Sequence, residues 1–280
     1  MVFIVYFWWA CLWAKDRKMT TNKPKISIIT VNYNNVDGLR ETIKSVTEQS
    51  YDAIEYIVVD GASTDGGVDV LESFRPNLTH ALSEKDTGIY NAMNKGIKLA
   101  TGDYLLFLNS GDKLIDPRII EEVVAQGLTA DLVYGDLKFF DEVKEWNWNL
   151  PDQLTFRFFY ESTLPHPSTF IKRELFDTVG LYDEGLKIVS DWKFFMLAVA
   201  KHNCSYRHIG QIVSAYNFEG ISSKPENLQA IQVERSKVLA ETFPLFITDY
   251  EELGKLQKEM RKIKYFLKVR KTVKKIFNSK

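Results

Sequence analysis

ISIITVNYNNVDGLRETIKSVTEQSYDAIEYIVVD, residues 26–60, holds two short apolar runs rich in β-branched residues with a helical pattern between them. Ile26–Asn32 and Ile54–Asp60 read as buried strands. Leu39, Ile43 and Val46 fall on one face of a helix over Leu39–Gln49. The alternation continues outward. A helix over Val68–Phe74 precedes a third strand at Leu78–Ser83, and a helix over Asn91–Ala100 stops at Thr101-Gly102. Strand Tyr104–Leu108, helix Pro117–Gln126 and strand Asp131–Tyr134 follow. Strands alternating with helices of about ten residues predict βαβ units and an α/β fold on a mostly parallel central sheet covered on both faces.

The composition agrees with a globular chain. Of 280 residues, 45% are hydrophobic and 26% charged, with 15 Gly, 8 Pro and 2 Cys, which excludes disorder, a collagen repeat and a disulfide scaffold. Cys11 and Cys204 are far apart and no Cys/His ligand spacing occurs, so a reducing compartment is expected. The formal net charge of -1 conceals a division. Lys255 to Lys280 carries eleven Lys/Arg against one acid, Glu259, so this tail is +10 and the rest of the chain -11.

In such sheets ligands bind beyond the carboxyl ends of the strands. The residues just past the apolar runs are Asn32, Asp60 and Asn109 with Asp112, and the loop after the third strand supplies Glu84, Lys85 and Asp86. One Asp after a strand commonly forms a turn or caps a helix. Several such loops on one edge point to a ligand. Neither GxGxxG nor GxxxxGK[ST] is present, so the usual phosphate loops are absent. The economical alternative is a nucleotide whose diphosphate is neutralised by Mg²⁺ or Mn²⁺ held by Asp112.

SIITVNYN, EYIVVDGASTDG, SEKDTGIYNAMNKGIKLATGDYLLFLNSGD and VSDWKFFMLA occur in that order. Together they resemble the inverting family 2 glycosyltransferases of the GT-A fold, over about Lys25 to Ser223. The resemblance implies transfer of a sugar from a nucleotide-diphosphate sugar, UDP being the usual nucleotide, to an acceptor hydroxyl in bacterial polysaccharide or lipid-linked glycan synthesis. It implies that Thr30, Asn32 and Asn34 flank the base, that Asp60 bonds base or ribose, and that Asp86 lies beside the nucleotide. Asn91, Asn94 and Lys95 would face the donor from a helix start, though Asn91 also suits an N-cap and Lys95 a solvated helix face.

Asn109-Ser110-Gly111-Asp112 occupies the place of the family's metal motif, commonly Asp-x-Asp or Asp-x-Asp-Asp. It departs from that pattern, with Asp112 its one charged ligand and Asn109 left to bond a ribose. Fewer charged ligands predict weak, exchangeable binding of Mn²⁺ or Mg²⁺, with the donor diphosphate completing the coordination. The resemblance places the general base at Asp191 of Ser190-Asp191-Trp192, before an apolar helix over Phe194–Ala200. Read from its residues alone, Asp191 would equally suit an N-cap. His166 of Pro165–Phe170 and Ser222 of Gly220–Ser223 are acceptor or phosphate candidates. Aromatic residues from Phe139 to Tyr160 suit sugar stacking or core packing alike.

Two other classes share parts of this reading. A sugar nucleotidyltransferase would need a Gly-rich loop after the first strand, where this chain has Asn32-Tyr33-Asn34-Asn35. A catalytically weak carbohydrate- or nucleotide-binding protein is compatible with the thinned metal motif, and Asp191 argues against it.

The expected organisation is an apolar extension over 1–18, a nucleotide-sugar half over 25–136, an acceptor half with the base over 137–223, and C-terminal helices over 224–280, basic from Lys255. The opening run MVFIVYFWWACLWA is too short to span a bilayer and lacks signal-peptide features. An upstream start before Met19, or a monotopic anchor, explains it. In the tail, Leu256, Met260, Ile263 and Leu267, then Val273 and Phe277 after a slip, recur at helical spacing between basic residues. This predicts an amphipathic helix on an anionic membrane surface, at the cytoplasmic face, in preference to nucleic acid.

Overall fold

The computed structural model describes residues 23–277 apart from 142, 218, 219, 221 and 222, with side chains as far as residue 270. The run over 1–18, Ser222, and the side chains of Val273 and Phe277 lie outside the described residues.

Elements β1 (Ile26–Asn32), α1 (Val36–Thr47), β2 (Ile54–Asp60), α2 (Gly67–Ser73), β3 (His80–Ser83), α3 (Ile89–Leu99) and β4 (Tyr104–Phe107) form the first half. β1 is buried along its whole length because both its faces are covered. Ile29 and Val31 enter one core with Met93 and Ile97 of α3, while Ile26 and Ile28 enter the other with Leu39 and Ile43 of α1. A Cβ on Gly96 would lie 2.5 Å from Ile29 Cγ2, so the glycine is what lets α3 approach the sheet so closely. The parallel register runs from Ile26 beside Ile54 to Asn32 beside Asp60, and Asp60 lies beside Ser83 of β3. The polar residues ending three strands are thereby brought to one edge.

The second half comprises β5 (Lys113–Leu114), α4 (Ile119–Gln126), β6 (Leu132–Phe140), β7 (Glu145–Trp148), α5 (Phe156–Glu161), β8 (Thr169–Lys172), α6 (Leu175–Val179), α7 (Ser190–Met196) and β9 (Tyr206–Asn217). The sheet order is β3-β2-β1-β4-β8-β6-β9-β5, with β7 on β6. The parallel expectation describes the β3-β2-β1-β4 part. β8 pairs antiparallel with both β4 and β6, which makes the rest of the sheet mixed. β6 runs through residue 136, so the two expected halves share a strand.

α8 (Leu228–Thr242) and α9 (Pro244–Phe277) complete the described chain. α9 starts well before Lys255, and its 34 residues are about 51 Å long. Its first turns pack through Phe246 and Tyr250 on Phe156 of α5, at 5.6 and 5.0 Å between ring centres. Beyond them Leu256, Met260, Ile263 and Leu267 are exposed along one stripe, and Tyr265, Phe266 and Val269 are exposed off it, so the apolar face is less confined than the spacing predicts. No helix among the described residues is long and apolar enough to cross a membrane.

Candidate active site

A cleft of about 950 Å³ opens at the carboxyl ends of β1, β2 and β4. Seven of the residues singled out from sequence line it: Asn32, Lys85, Asp86, Asn109, Asp112, His166 and Asp191.

The wall after β1 and β2 is built around Asp60. Its buried carboxylate accepts hydrogen bonds from Asn32 Nδ2 (2.8 Å), Ser63 Oγ (2.5 Å), Ser63 N (2.9 Å) and Ser83 Oγ (2.7 Å). Burial pushes this carboxyl up, but the Ser63, Ser83 and Asn32 donors outweigh it and hold the group below the ordinary aspartate value. Asp60 therefore sits beneath the cleft and shapes the loop whose Gly61, Ala62 and Thr64 line it. Asn34, at φ 48°, accepts from Thr64 N at 2.9 Å and ties the same loop to the end of β1. Thr30, expected beside the base, is fully buried and donates to Leu108 O at 2.7 Å; it lies on the same face of β1 as Asn32 but two residues inside the strand end, covered by its neighbours in the sheet and not open to the cleft.

Asp86 reaches the cleft and accepts from Gly88 N at 3.0 Å. Gly61 faces it so closely that a Cβ there would stand 2.5 Å from Asp86 Oδ2. The other expected donor contacts on α3 face elsewhere. Lys95 pairs with Glu84 at 2.7 Å and donates to Lys85 O at 2.9 Å, holding the loop that carries Asp86. Asn91 and Asn94 donate to Glu184 at 2.8 and 2.9 Å, and Asn94 also donates to Tyr182 O. They join α3 to the 182–184 loop instead of pointing into the cleft. The N-cap of α3 is Gly88, so Asn91 does not cap it.

Beyond β4, Asp112 Oδ2 and Asn109 Oδ1 are buried without a hydrogen-bond partner among the described residues. Unpaired buried oxygens are rare and ask for an explanation. Burial pushes the Asp112 carboxyl up to about 7, with His166 nearby only partly offsetting it. Two orphaned oxygens, one a carboxylate lacking counter-charge, fit a hard divalent cation. Among the described residues no three His, Cys, Asp or Glu side chains converge as a complete cage.

His166 joins this corner to Asp191. Its Nε2 lies 3.1 Å from Asn109 Nδ2 and 4.0 Å from Asp112 Oδ2, and its Nδ1 lies 3.3 Å from Asp191 Oδ2. Nδ1 faces a carboxylate oxygen that can only accept, so His166 can donate to Asp191 while its other nitrogen meets the Asn109–Asp112 corner. Asp191 Oδ1 accepts from Tyr90 OH at 2.9 Å. Burial pushes the Asp191 carboxyl up, but His166 and Tyr90 outweigh that and hold it below the ordinary aspartate value. Asp191 lies in the first turn of α7, whose N-cap is Val189, so the helix begins four residues earlier than the apolar pattern suggests and Asp191 does not cap it.

Sequence reasoning missed Tyr90 and Lys187, which also line the cleft. Tyr90 lies within a quoted motif, but its partner is 101 residues away and no local signal joins them.

Comparisons with known proteins bear on the family and the fold. Residues 27–180 match glycosyl transferase family 2. A PGL/p-HBAD biosynthesis glycosyltransferase of Mycobacterium bovis BCG is 32% identical over 207 residues, covering 71% of this chain and 80% of the relative. The teichuronic acid biosynthesis glycosyltransferase TuaG of Bacillus subtilis, itself described as putative, is 39% identical over 98 residues, 34% of this chain and 39% of TuaG. Among solved structures, S. aureus TarS 1-349 in complex with UDP-GlcNAc superposes with a TM-score of 0.58 at 20% identity, covering 69% of this chain and 58% of that one. The mannosyltransferase PcManGT of Pyrobaculum calidifontis, in complex with GDP-Man and Mn²⁺, gives 0.57 at 19% identity, covering 87% and 71%. Both likenesses concern the fold. With a match over more than half its length and a relative aligned across most of both chains, this protein belongs to glycosyl transferase family 2.

Proposed function

We propose that the protein is an inverting glycosyltransferase that moves a sugar from a UDP-sugar to a hydroxyl of a glycan or lipid-linked acceptor, in bacterial polysaccharide or glycolipid synthesis. The observation that carries the reading is Asp191, a buried carboxylate on the cleft wall, held deprotonated by Tyr90 and His166. Such a group can take the acceptor hydroxyl proton as the new bond to the anomeric carbon forms and the bond to the diphosphate breaks. Asn32, Asp86 and the loop shaped by Asp60 would receive the nucleotide. Asp112, with Asn109 beside it, would hold Mn²⁺ or Mg²⁺, which when bound neutralises charge on the donor diphosphate. The relatives, glycosyltransferases of PGL/p-HBAD and teichuronic acid biosynthesis, support glycan synthesis, and the UDP-GlcNAc complex of TarS is in keeping with a UDP donor. The basic end of α9 would dock on the anionic inner face of the cytoplasmic membrane, where a lipid-linked acceptor is found.

A thermal-shift panel of nucleotide sugars with Mn²⁺ tests the donor, because a ligand bound only by the folded state raises its apparent stability. Nucleotide release then tests the base. Asp191→Asn is expected to lower turnover by about 10²- to 10⁴-fold, the usual contribution of general-base catalysis. Undiminished turnover in that variant refutes the reading.

A further inference from the structure

Asp191 lies eleven residues beyond the segment that matches the family, and what fixes its backbone comes from still further along the chain. Glu234, on α8, reaches back to the segment entering α7. Its Oε1 accepts from Lys187 N at 2.7 Å, and its Oε2 accepts from Ile188 N at 3.0 Å and Val189 N at 3.2 Å. α7 has no side-chain cap of its own, so one carboxylate from another helix satisfies three consecutive N–H groups just before it. The Ile188 peptide is then held at both ends. Its N–H donates to Glu234, and its C=O, 2.6 Å from Tyr90 OH, shares that hydroxyl's single proton with Asp191 Oδ1 at 2.9 Å. Next to Glu234, the Arg235 guanidinium lies 4.8 Å over the Trp192 ring and donates to Ser162 O at 3.3 Å. Two adjacent residues of α8 thus grip the chain on either side of Asp191.

We infer that Glu234 is a positioning residue for the base, acting through the 187–189 backbone and Tyr90. The inference rests on the reading of Asp191 as the base. Without the carboxylate the three N–H groups turn to water and the segment shifts. A displacement of about 1 Å at a reacting group lowers rate by about 100-fold.

The test measures nucleotide release from UDP-GlcNAc and from GDP-Man as probes, with UDP affinity determined separately by equilibrium titration. It compares Glu234→Ala, Glu234→Gln, Asp191→Asn and the double variant Glu234→Ala/Asp191→Asn. Glu234→Ala is expected to lower kcat by about 10- to 100-fold while donor KM and UDP Kd stay within about twofold. Glu234→Gln, whose amide oxygen can still accept from Ile188 and Val189, is expected to recover part of the loss. It carries the test should the alanine variant not fold. The double variant is expected to be no slower than Asp191→Asn, since residues acting through one group are not additive. The inference is overturned if Glu234→Ala and Glu234→Gln keep full kcat beside an inactive Asp191→Asn. It is equally overturned if UDP Kd rises as far as kcat falls, or if the two losses multiply in the double variant. A fully active Asp191→Asn refutes the base itself, a separate result.

Discussion

Replacing Tyr90 by Phe removes one hydroxyl and keeps the ring, which stays packed 5.6 Å from Tyr182 between ring centres in the core. The lost hydroxyl shares one proton between two acceptors, Ile188 O at 2.6 Å and the charged Asp191 Oδ1 at 2.9 Å. A hydrogen bond to a charged group contributes about 1.5–3 kcal/mol, so Tyr90→Phe is expected to lower stability by about that much. If the same loss falls on the orientation of the base, kcat drops by about 10- to 100-fold, at about 1.4 kcal/mol for each factor of ten. The pH profile gives an independent sign. Tyr90 donates to the charged form of Asp191, one of the causes holding that carboxyl below its ordinary value, so removing it lets the group move back upward. The acid limb of kcat/KM therefore moves to higher pH. Urea unfolding and nucleotide release across pH measure both effects. A variant whose kcat and acid limb coincide with wild type refutes the reasoning, as does an acid limb that moves to lower pH.

Three further outcomes are expected. Asp112→Ala should abolish the Mn²⁺ dependence of UDP-sugar binding, followed by titrating Mn²⁺ at fixed donor; an unchanged response would remove Asp112 as a ligand. Glu55 accepts from Lys25, Ser27 and Thr101, which outweigh the upward push of burial and hold it at about 2. Because this value is below that of the unfolded chain, its stabilisation is present above about pH 4.5 and lost as pH falls toward 2. After allowance for the solvated Lys25 it amounts to about 2 kcal/mol, so urea melts of wild type and Glu55→Gln should converge over that range. Truncation after Gly254 should abolish salt-sensitive sedimentation with phosphatidylserine vesicles, and a truncated chain that still pellets would exclude the tail as the contact.

The elements readable from sequence are those whose surroundings are uniform along their length. β1 and β2 are apolar on both faces, and α1 carries its buried residues at one helical spacing, so local pattern suffices. β8 has four residues and β9 mixes Arg207, His208 and Gln211 with Ile209 and Val213. Gly210 at φ 56° and shifts in register against β6 further break the alternation that marks a strand. Residues at strand ends were legible because a strand's end fixes which loop enters the cleft. Side-chain surroundings were not: Thr30 is covered within the sheet, Asn91 and Asn94 turn toward Glu184, and Lys95 toward Glu84.

By itself, then, the sequence determined the parallel half of the sheet, the edge where a ligand binds, and the residue types offered there, because periodicity and strand ends are local properties. Only the tertiary structure decided which of them meet. Tyr90, His166, Asp191 and Glu234 come from α3, the turn before β8, α7 and α8, and no spacing along the chain relates them. Their grouping depends on how α7 and α8 pack against the sheet, and that is settled by contacts between segments far apart in the chain.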